Sequence, residues 1–450
     1  MASKSLALIS IYLAFFTNAI IFTIVLPYGS KMVMSFGLAD SRDAAGTWVG
    51  ILTFSLMFGT SISSPFWGQL CDIWGRKPII MIAMLSVAVF SIIFGFSANF
   101  LFALISRFLL GAMTPIAIVG KTVISEICTS SEQSSAMAWQ NILWQIGMIV
   151  GSILGGLFES PQESGLVSSG IFADYPFLLP NVVTAILAAL CLPMIYLTLW
   201  ETLDKSHNRL SLINENNRSF WQIAKDPICL KPLSAYACFS SNSTGFHEIV
   251  TLWFWANINS GGFEMNPNEI GLILGVGSCL VLFIQKPVHN FICGKLGMVK
   301  TLHACLLLQI PSLMIFPLAS ALNKDNTIKW VMLCSMCAWW YLVLNIGFTA
   351  QVIIANNSIV AKERGRMNGI SMTVGAMVRA FAPLVYGFIF SKTVESSWIF
   401  PFNYAASFYI MALLACLAYY SSRNIPSFLN SPIEEAIENK YVLINNSKSR

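Results

Sequence analysis

Charged residues are scarce in this chain of 450 residues. Only 10% of them are Asp, Glu, Lys or Arg, and 56% are hydrophobic, whereas about a quarter of an ordinary soluble protein is charged. The composition therefore excludes a soluble domain and predicts a protein embedded in a lipid bilayer. The net charge of +5 does not indicate a nucleic-acid partner, because the cations lie in short loops beside apolar segments.

Two kinds of reactive site are also missing. No Gly-x-x-x-x-Gly-Lys-Ser/Thr loop occurs, so we expect no nucleotide cofactor and no nucleotide-driven enzyme. The cysteines are scattered through apolar runs rather than spaced as a disulfide framework. Cys334 and Cys337 form a Cys-x-x-Cys, but no further ligand lies near them in the sequence, so we predict no metal site.

Long apolar runs dominate the sequence instead. Runs long enough to cross a bilayer core of ~30 Å lie near 6–28, 47–69, 78–98, 101–124, 136–158, 176–200, 232–257, 269–292, 300–320, 328–355, 367–391 and 401–421. We predict an all-α membrane protein with twelve transmembrane helices in two pseudo-symmetric halves of six. The predicted divisions are an N-terminal half, a polar linker, a C-terminal half and a tail, at 1–200, 201–231, 232–421 and 422–450.

The distribution of cations predicts the orientation of the chain. Most lysines and arginines fall in loops on the same side as Gly68, and we assign Lys121 to that side as well. The positive-inside rule then places both termini in the cytosol. A vacuolar or other endomembrane and the plasma membrane both remain open, and we expect a monomer in the bilayer.

A dense polar turn follows the second apolar run. It reads Gly68-Gln-Leu-Cys-Asp72-Ile-Trp-Gly75-Arg76-Lys77. One interpretation is a solvated turn that only obeys the positive-inside rule. The turn also resembles, at every signature position, the loop between helices 2 and 3 of major facilitator superfamily transporters.

This resemblance implies that the turn is part of a cytosolic gate. In that reading Asp72 meets the N-terminus of helix 11, where the helix dipole is positive. Arg76 would pair with Glu126 at the inner end of helix 4. The resulting latch would hold the two halves together and release them as the transporter turns inward.

A stripe of small residues marks the fifth apolar run. Gly147, Gly151 and Gly155 recur every four residues and are followed by Gly156, a pattern that permits close helix packing. The run also resembles the helix 5 signature associated with antiporters of the superfamily. Ser152 replaces the usual proline of that signature, so the kink that proline gives is not expected.

Ionisable residues inside apolar runs are the candidates for substrate contact or proton coupling, because charge within a membrane is costly. Arg107 matches the arginine of a further superfamily motif, and the alternative is that its side chain extends to the outer surface. His247 and Glu248 are adjacent and point about 100° apart on a helix. Glu248 is either a proton carrier or one member of a static buried pair with Arg379. Arg379 requires an acidic partner or an anionic group of the substrate.

Longer stretches resemble the zinc-induced facilitator-like group of drug:proton antiporter-type carriers. They include Trp200-Glu-Thr-Leu203, Gly261-Gly-Phe263 and Arg364-Gly-Arg-Met-Asn-Gly-Ile-Ser-Met-Thr373. The resemblance implies a secondary carrier that exchanges a small organic solute for protons. The Cys-Pro-Gly-Cys element of plant members is absent, which makes metal-linked transport doubtful. A proton-coupled uptake symporter and a non-transporting receptor or scaffold on the same fold are the alternatives.

Overall fold

A computed structural model describes residues 4–166, 168–203, 220–322, 326–359, 364–396 and 398–431. Within these ranges all regular structure is helical. The longer helices are α1 Lys4–Thr23, α2 Gly46–Trp74, α3 Arg76–Gly95, α4 Phe100–Ala112, α5 Ile116–Ile127, α6 Ser130–Phe158, α7 Leu178–Thr198, α8 Pro227–Trp255, α9 Pro267–Ile315, α10 Asn326–Asn357, α11 Arg364–Glu395 and α12 Ala406–Ser422. Short helical turns lie at Gly29–Ser35, Asp43–Ala45, Ile171–Asp174, Phe220–Lys225, Ile258–Ser260, Phe316–Leu322 and Ser427–Asn430.

These helices account for all of the predicted membrane spans. Helices α4 and α5 together form one span, interrupted before Ile116 by Pro115. Helix α9 contains two spans, since the backbone leaves helical geometry at Gly297, where φ is 77°. In the described ranges, nine segments are long and apolar enough to cross a membrane, and α12 is a shorter apolar helix. The predicted fold class, an all-α membrane protein of two six-helix halves, is confirmed.

The two halves are joined by a segment that the structure describes only in part. Residues 204–219 of the predicted linker and 432–450 of the predicted tail lie outside the described residues, so the domain limits stay a prediction. Helix α8 begins at Pro227, ahead of the apolar run that starts near 232, because Asp226 caps it. The Asp226 carboxylate accepts a hydrogen bond from the Ile228 N–H at 2.9 Å, which satisfies one of the unpaired donors at a helix start.

The halves approach each other along two pairs of helices, α2 with α11 and α6 with α9. Both contacts are made through glycine. A Cβ added at Gly50 would lie 2.6 Å from the carbonyl oxygen of Pro383, and one added at Gly156 would lie 2.5 Å from that of Pro267. Small residues allow helix backbones to come this close within a membrane.

The helix bundle has two opposite ends, the Asp43 face and the Gly68 face. The Asp43 face is the end at which α2 starts and α8 finishes, near Asp43 and Asn257. The Gly68 face is the opposite end, at the turn from Gly68 to Lys77. A Cβ added at Gly68 or Gly369 would meet nothing within 4 Å, so the chain is loosely packed at these two positions.

Candidate functional site

Glu248 lies on α8 at the boundary between the two halves. Its side chain is fully buried, and the hydroxyl of Thr53 on α2 donates a hydrogen bond to Oε2 at 3.1 Å. The other carboxylate oxygen, Oε1, has no hydrogen-bond partner in the described part of the chain. An incompletely satisfied buried carboxyl is energetically expensive, so this position is a strong candidate for a functional group.

Arg107 on α4 supplies the opposite charge. Its guanidinium is buried, donates from Nη1 to the carbonyl oxygen of Ile21 at 3.2 Å and lies 5.2 Å from the ring centroid of Phe94. Its charge interacts with that of Glu248 across the boundary between the halves. Because the side chain is buried, the alternative that Arg107 extends to the outer surface is wrong.

His247 points away from Glu248, as the angle between adjacent helical residues predicts. Its ring stacks on Tyr341 of α10, with centroids 5.3 Å apart, and Nδ1 lies 3.4 Å from the Tyr341 hydroxyl oxygen. These contacts are inside the C-terminal half. The structure therefore separates His247 from the Glu248, Thr53 and Arg107 cluster.

Arg379 does not pair with Glu248. Its Nη1 donates to the hydroxyl of Ser240 on α8 at 3.4 Å, and Ser240 precedes Glu248 by about 12 Å along the helix axis. The predicted alternative of a static Glu248 and Arg379 pair is wrong for this reason.

Lys121 lies within the apolar run 101–124 and is assigned to the Gly68 side from the sequence. In the structure Pro115 starts a new helical segment that continues to Ile127, which places Lys121 inside a membrane-spanning helix.

The turn at the Gly68 face is held by ionic contacts within the N-terminal half. Arg76 is buried, and its Nη2 lies 2.9 Å from Glu126 Oε1, which brings together the two residues that the superfamily resemblance pairs. Lys77 donates from Nζ to the carbonyl oxygen of Tyr196 at 2.8 Å. These contacts fix the turn at the Gly68 face to α5, through Glu126, and to α7, through Tyr196.

Glu201 belongs to this network, a role that its place in the Trp200-Glu-Thr-Leu203 resemblance did not indicate. Its carboxylate accepts from the backbone N–H of Arg76 at 2.8 Å and of Lys77 at 3.2 Å, at the N-terminus of α3. Gly75 has a φ of 103°, and a Cβ there would lie 2.3 Å from Glu201 Oε2. Only glycine suits both requirements, and a carboxylate is favoured at a helix N-terminus.

The side chains that would form the other part of the predicted latch are not described. The side chains of Asp72, Arg366 and Asn368 are not part of the description, so the contact of Asp72 with the start of α11 stays a prediction.

The glycines of the fifth apolar run pack α6 against α1 and α9. A Cβ at Gly147 would lie 2.4 Å from the Phe16 carbonyl oxygen, and one at Gly155 would lie 1.9 Å from that of Ile24. Gly151 faces Thr23 of α1, and Gly156 faces α9 of the other half. In the position of the missing proline, Ser152 donates its hydroxyl to the Met148 carbonyl oxygen at 3.2 Å.

The Asp43 face is closed by contacts between the halves that the sequence did not reveal. The Asp43 carboxylate accepts from the backbone N–H and the side-chain amide of Asn257, both at 3.1 Å, and from the Ser260 hydroxyl at 2.6 Å. Arg42 lies over the Trp255 ring, 4.2 Å from its centroid. These groups lie in loops far apart in the sequence, where neither spacing nor periodicity indicates a contact.

The arrangement of helices and polar groups agrees with a comparison against known protein families. The Major Facilitator Superfamily model matches residues 11–383. The chain belongs to the major facilitator superfamily. Its multi-pass membrane architecture and its place in a transporter family follow from that membership together with the apolar helices.

Known members of the superfamily resemble this chain along most of its length. A probable peptide/nitrate transporter of Arabidopsis thaliana is 26% identical over 404 residues, which cover 85% of this chain and 82% of that protein. Protein ZINC INDUCED FACILITATOR 1 of the same plant is 27% identical over 394 residues, covering 81% and 80%. The predicted resemblance to the zinc-induced facilitator-like group is confirmed.

A solved structure supports the same fold. The crystal structure of a D-xylose-proton symporter superposes with a TM-score of 0.68, covers 95% of this chain and 98% of its own, and is 14% identical. At this level of identity the likeness concerns the fold alone.

Proposed function

We propose that this major facilitator protein moves a small organic solute across a membrane by alternating access, in exchange for protons, and that Glu248 binds the proton. One observation supports the assignment of proton binding to Glu248. Glu248 is fully buried between the halves, with one carboxylate oxygen bonded to Thr53 of the opposite half and the other without a partner in the described part of the chain.

The proposal follows from what happens to this carboxyl when the halves move. Burial opposes its negative charge, whereas Arg107 and the Thr53 hydroxyl favour it. Thr53 and Glu248 lie on different halves, so separation of α2 from α8 breaks their hydrogen bond and admits water. The free energy of binding a proton then differs between conformations, which is the requirement for coupling protons to a conformational change.

The two ends of the molecule would act as alternate gates. Asp43 with Asn257 and Ser260 closes one end, and Asp72 with the start of α11 would close the other, supported by the Arg76 and Glu126 pair. We propose that the Gly68 face is cytosolic, with both termini on that side, in an endomembrane or the plasma membrane. The partners are then the solute, protons and the lipid bilayer, and the protein acts as a monomer.

A flux assay tests this proposal. The purified protein is reconstituted into vesicles with an imposed pH gradient and an internal pH-sensitive dye, and a panel of small solutes is screened against protein-free vesicles. Exchange predicts that a solute and protons move in opposite directions. Movement in the same direction would establish the uptake symporter instead. Failure of every solute to cause proton flux would favour the receptor or scaffold.

A further inference from the structure

An open groove lies between α3 and α7 on the surface of the N-terminal half. It has a volume of about 440 Å³ and an almost wholly apolar wall. Both helices are long and apolar enough to cross a membrane and make their main contacts within the N-terminal half. The groove therefore opens towards the hydrocarbon of the bilayer. Its wall is formed by Met81, Ile82, Leu85, Leu192, Pro193 and Tyr196.

The groove has the length and direction of a lipid chain in one leaflet. Helix α3 begins at the Gly68 face, and α7 ends there. Lys77, Met81 and Leu85 recur every four residues and so share one face of α3. The rise from Lys77 to Leu85 is about 12 Å, and the hydrocarbon of one leaflet is about 15 Å deep. An acyl chain can thus lie along this face from the Gly68 end to near the middle of the membrane.

Lys77 places a positive charge at the Gly68 end of the groove. Its ammonium nitrogen lies 5.0 Å from the centroid of the Tyr196 ring and donates to the Tyr196 carbonyl oxygen at 2.8 Å. No carboxylate among the described residues forms an ion pair with this ammonium. Because an ammonium has three donors, Lys77 can still donate to the oxygens of an anionic ligand.

The carboxylate of Glu201 is engaged by the backbone beside this lysine. It accepts from the N–H groups of Arg76 and Lys77, at 2.8 and 3.2 Å, and from that of Leu203 at 3.0 Å. These contacts direct it to the N-terminus of α3 rather than to the Lys77 ammonium. Tyr196 is 62% exposed and stands near the end of its span, where tyrosine is favoured at the level of lipid headgroups.

We infer that this groove binds an anionic phospholipid, with the headgroup phosphate at Lys77 and Tyr196 and one acyl chain between α3 and α7. A lysine near a membrane surface favours anionic lipid by about fivefold, and the apolar wall favours a lipid over a free phosphate. The inference does not depend on the proposed transport function, since it concerns a surface within the N-terminal half.

Native mass spectrometry of the full-length protein tests the inference. The protein in detergent is titrated with dioleoylphosphatidylglycerol or with dioleoylphosphatidylcholine, and the affinity of the first bound lipid is measured. We expect the anionic lipid to bind about fivefold more tightly. Lys77→Gln should reduce its affinity to that of the zwitterionic lipid, whereas Lys77→Arg should retain the difference.

Two controls match these variants. Lys295 lies over the Phe291 ring, 4.2 Å from its centroid, and Lys295→Gln should leave the preference for the anionic lipid unchanged. Leu85→Trp fills the groove at an exposed position and should weaken binding of the first lipid of either kind. Leu413→Trp, at an exposed leucine of α12, should not.

Several results would contradict the lipid site. They are equal affinities of the two lipids for the wild type, a preference that persists in Lys77→Gln, an equal loss in Lys295→Gln, and unchanged binding in Leu85→Trp. Displacement of the anionic lipid by glycerol 3-phosphate at the same concentration would reduce the groove to an anion site. A protein dimer that forms without added lipid and is lost in Leu85→Trp would assign the groove to a second copy of the chain.

Discussion

Thr53 and Glu248 belong to different halves of the molecule and share a buried hydrogen bond of 3.1 Å from hydroxyl to carboxylate. The bond joins α2 to α8 beneath the Asp43 face. It therefore cannot survive a movement that opens that face, and the carboxyl must exchange it for water. This relationship makes Glu248 the first residue to test.

Replacement of Glu248 by glutamine should abolish the pH dependence of solute flux. The amide keeps the size of the side chain and can still accept from Thr53, but it cannot bind and release a proton in this range. The measurement is the initial rate of flux in proteoliposomes at a series of external pH values. Thr53→Val replaces the hydroxyl with a methyl group of similar size and should keep a pH-dependent rate.

Glu395→Gln is the matched control for Glu248→Gln. Glu395 is an exposed acid at the end of α11, paired with Lys392 at 3.2 Å, and its loss should leave the profile as in wild type. A pH-dependent rate that persists in Glu248→Gln would place the proton elsewhere.

Asp72→Asn should sharply reduce transport while leaving expression and folding intact. The substitution removes the negative charge that the positive end of the α11 dipole would attract, and it changes the size of the side chain little. Solute flux and the thermal unfolding midpoint are measured together. Asp174→Asn, at an exposed acid on a short helical turn, serves as control, and flux at the wild-type rate in Asp72→Asn would contradict the latch.

Asp43→Ala should shift the molecule towards a state that is open at the Asp43 face. It removes the acceptor of three hydrogen bonds from Asn257 and Ser260, and loss of even one such bond to a charged group costs about 1.5–3 kcal/mol. The ratio of the two states should change by about tenfold or more. Spin labels at the exposed residues Asp40 and Ile258 report the distance across this face.

The distance distribution should gain a longer component in Asp43→Ala. The same labels in an Asp174→Ala background give the reference distribution. Identical distributions in the two variants would mean that Asp43 does not hold the face closed.

Gly155→Ala should destabilise the protein, because the new methyl group would approach the Ile24 carbonyl oxygen at 1.9 Å and force α1 and α6 apart. Overpacking of this kind costs about 1–3 kcal/mol. The readout is the unfolding midpoint in detergent. Gly294→Ala is the control, since a Cβ at that position meets nothing within 4 Å and alanine favours the helix by up to about 1 kcal/mol.

The fold could be predicted from the sequence because membrane spans, loop charges and glycine stripes can each be recognised within a short stretch of the chain. Each apolar run predicts its own helix through its length and hydropathy. The spacing from Gly147 to Gly155 predicts a close-packing helix face even when the partner helix is not known. The pairing of Arg76 with Glu126 was reachable only through a family resemblance, since fifty residues of chain separate the two.

The contacts between the halves could not be predicted in the same way. Thr53 is one of many hydroxyls in apolar runs, and nothing near it in the sequence indicates Glu248. Such pairings depend on how the membrane spans pack against each other, which hydrophobic periodicity does not encode.

The glycine contacts between the halves have a consequence for the ease of conformational change. Where Gly50 meets Pro383, and Gly156 meets Pro267, backbone lies against backbone, so at these two positions no side chains interlock. In the proposed alternating-access cycle these two glycine contacts would slide without a rotamer change, whereas the hydrogen bonds of Asp43 must break for the Asp43 face to open.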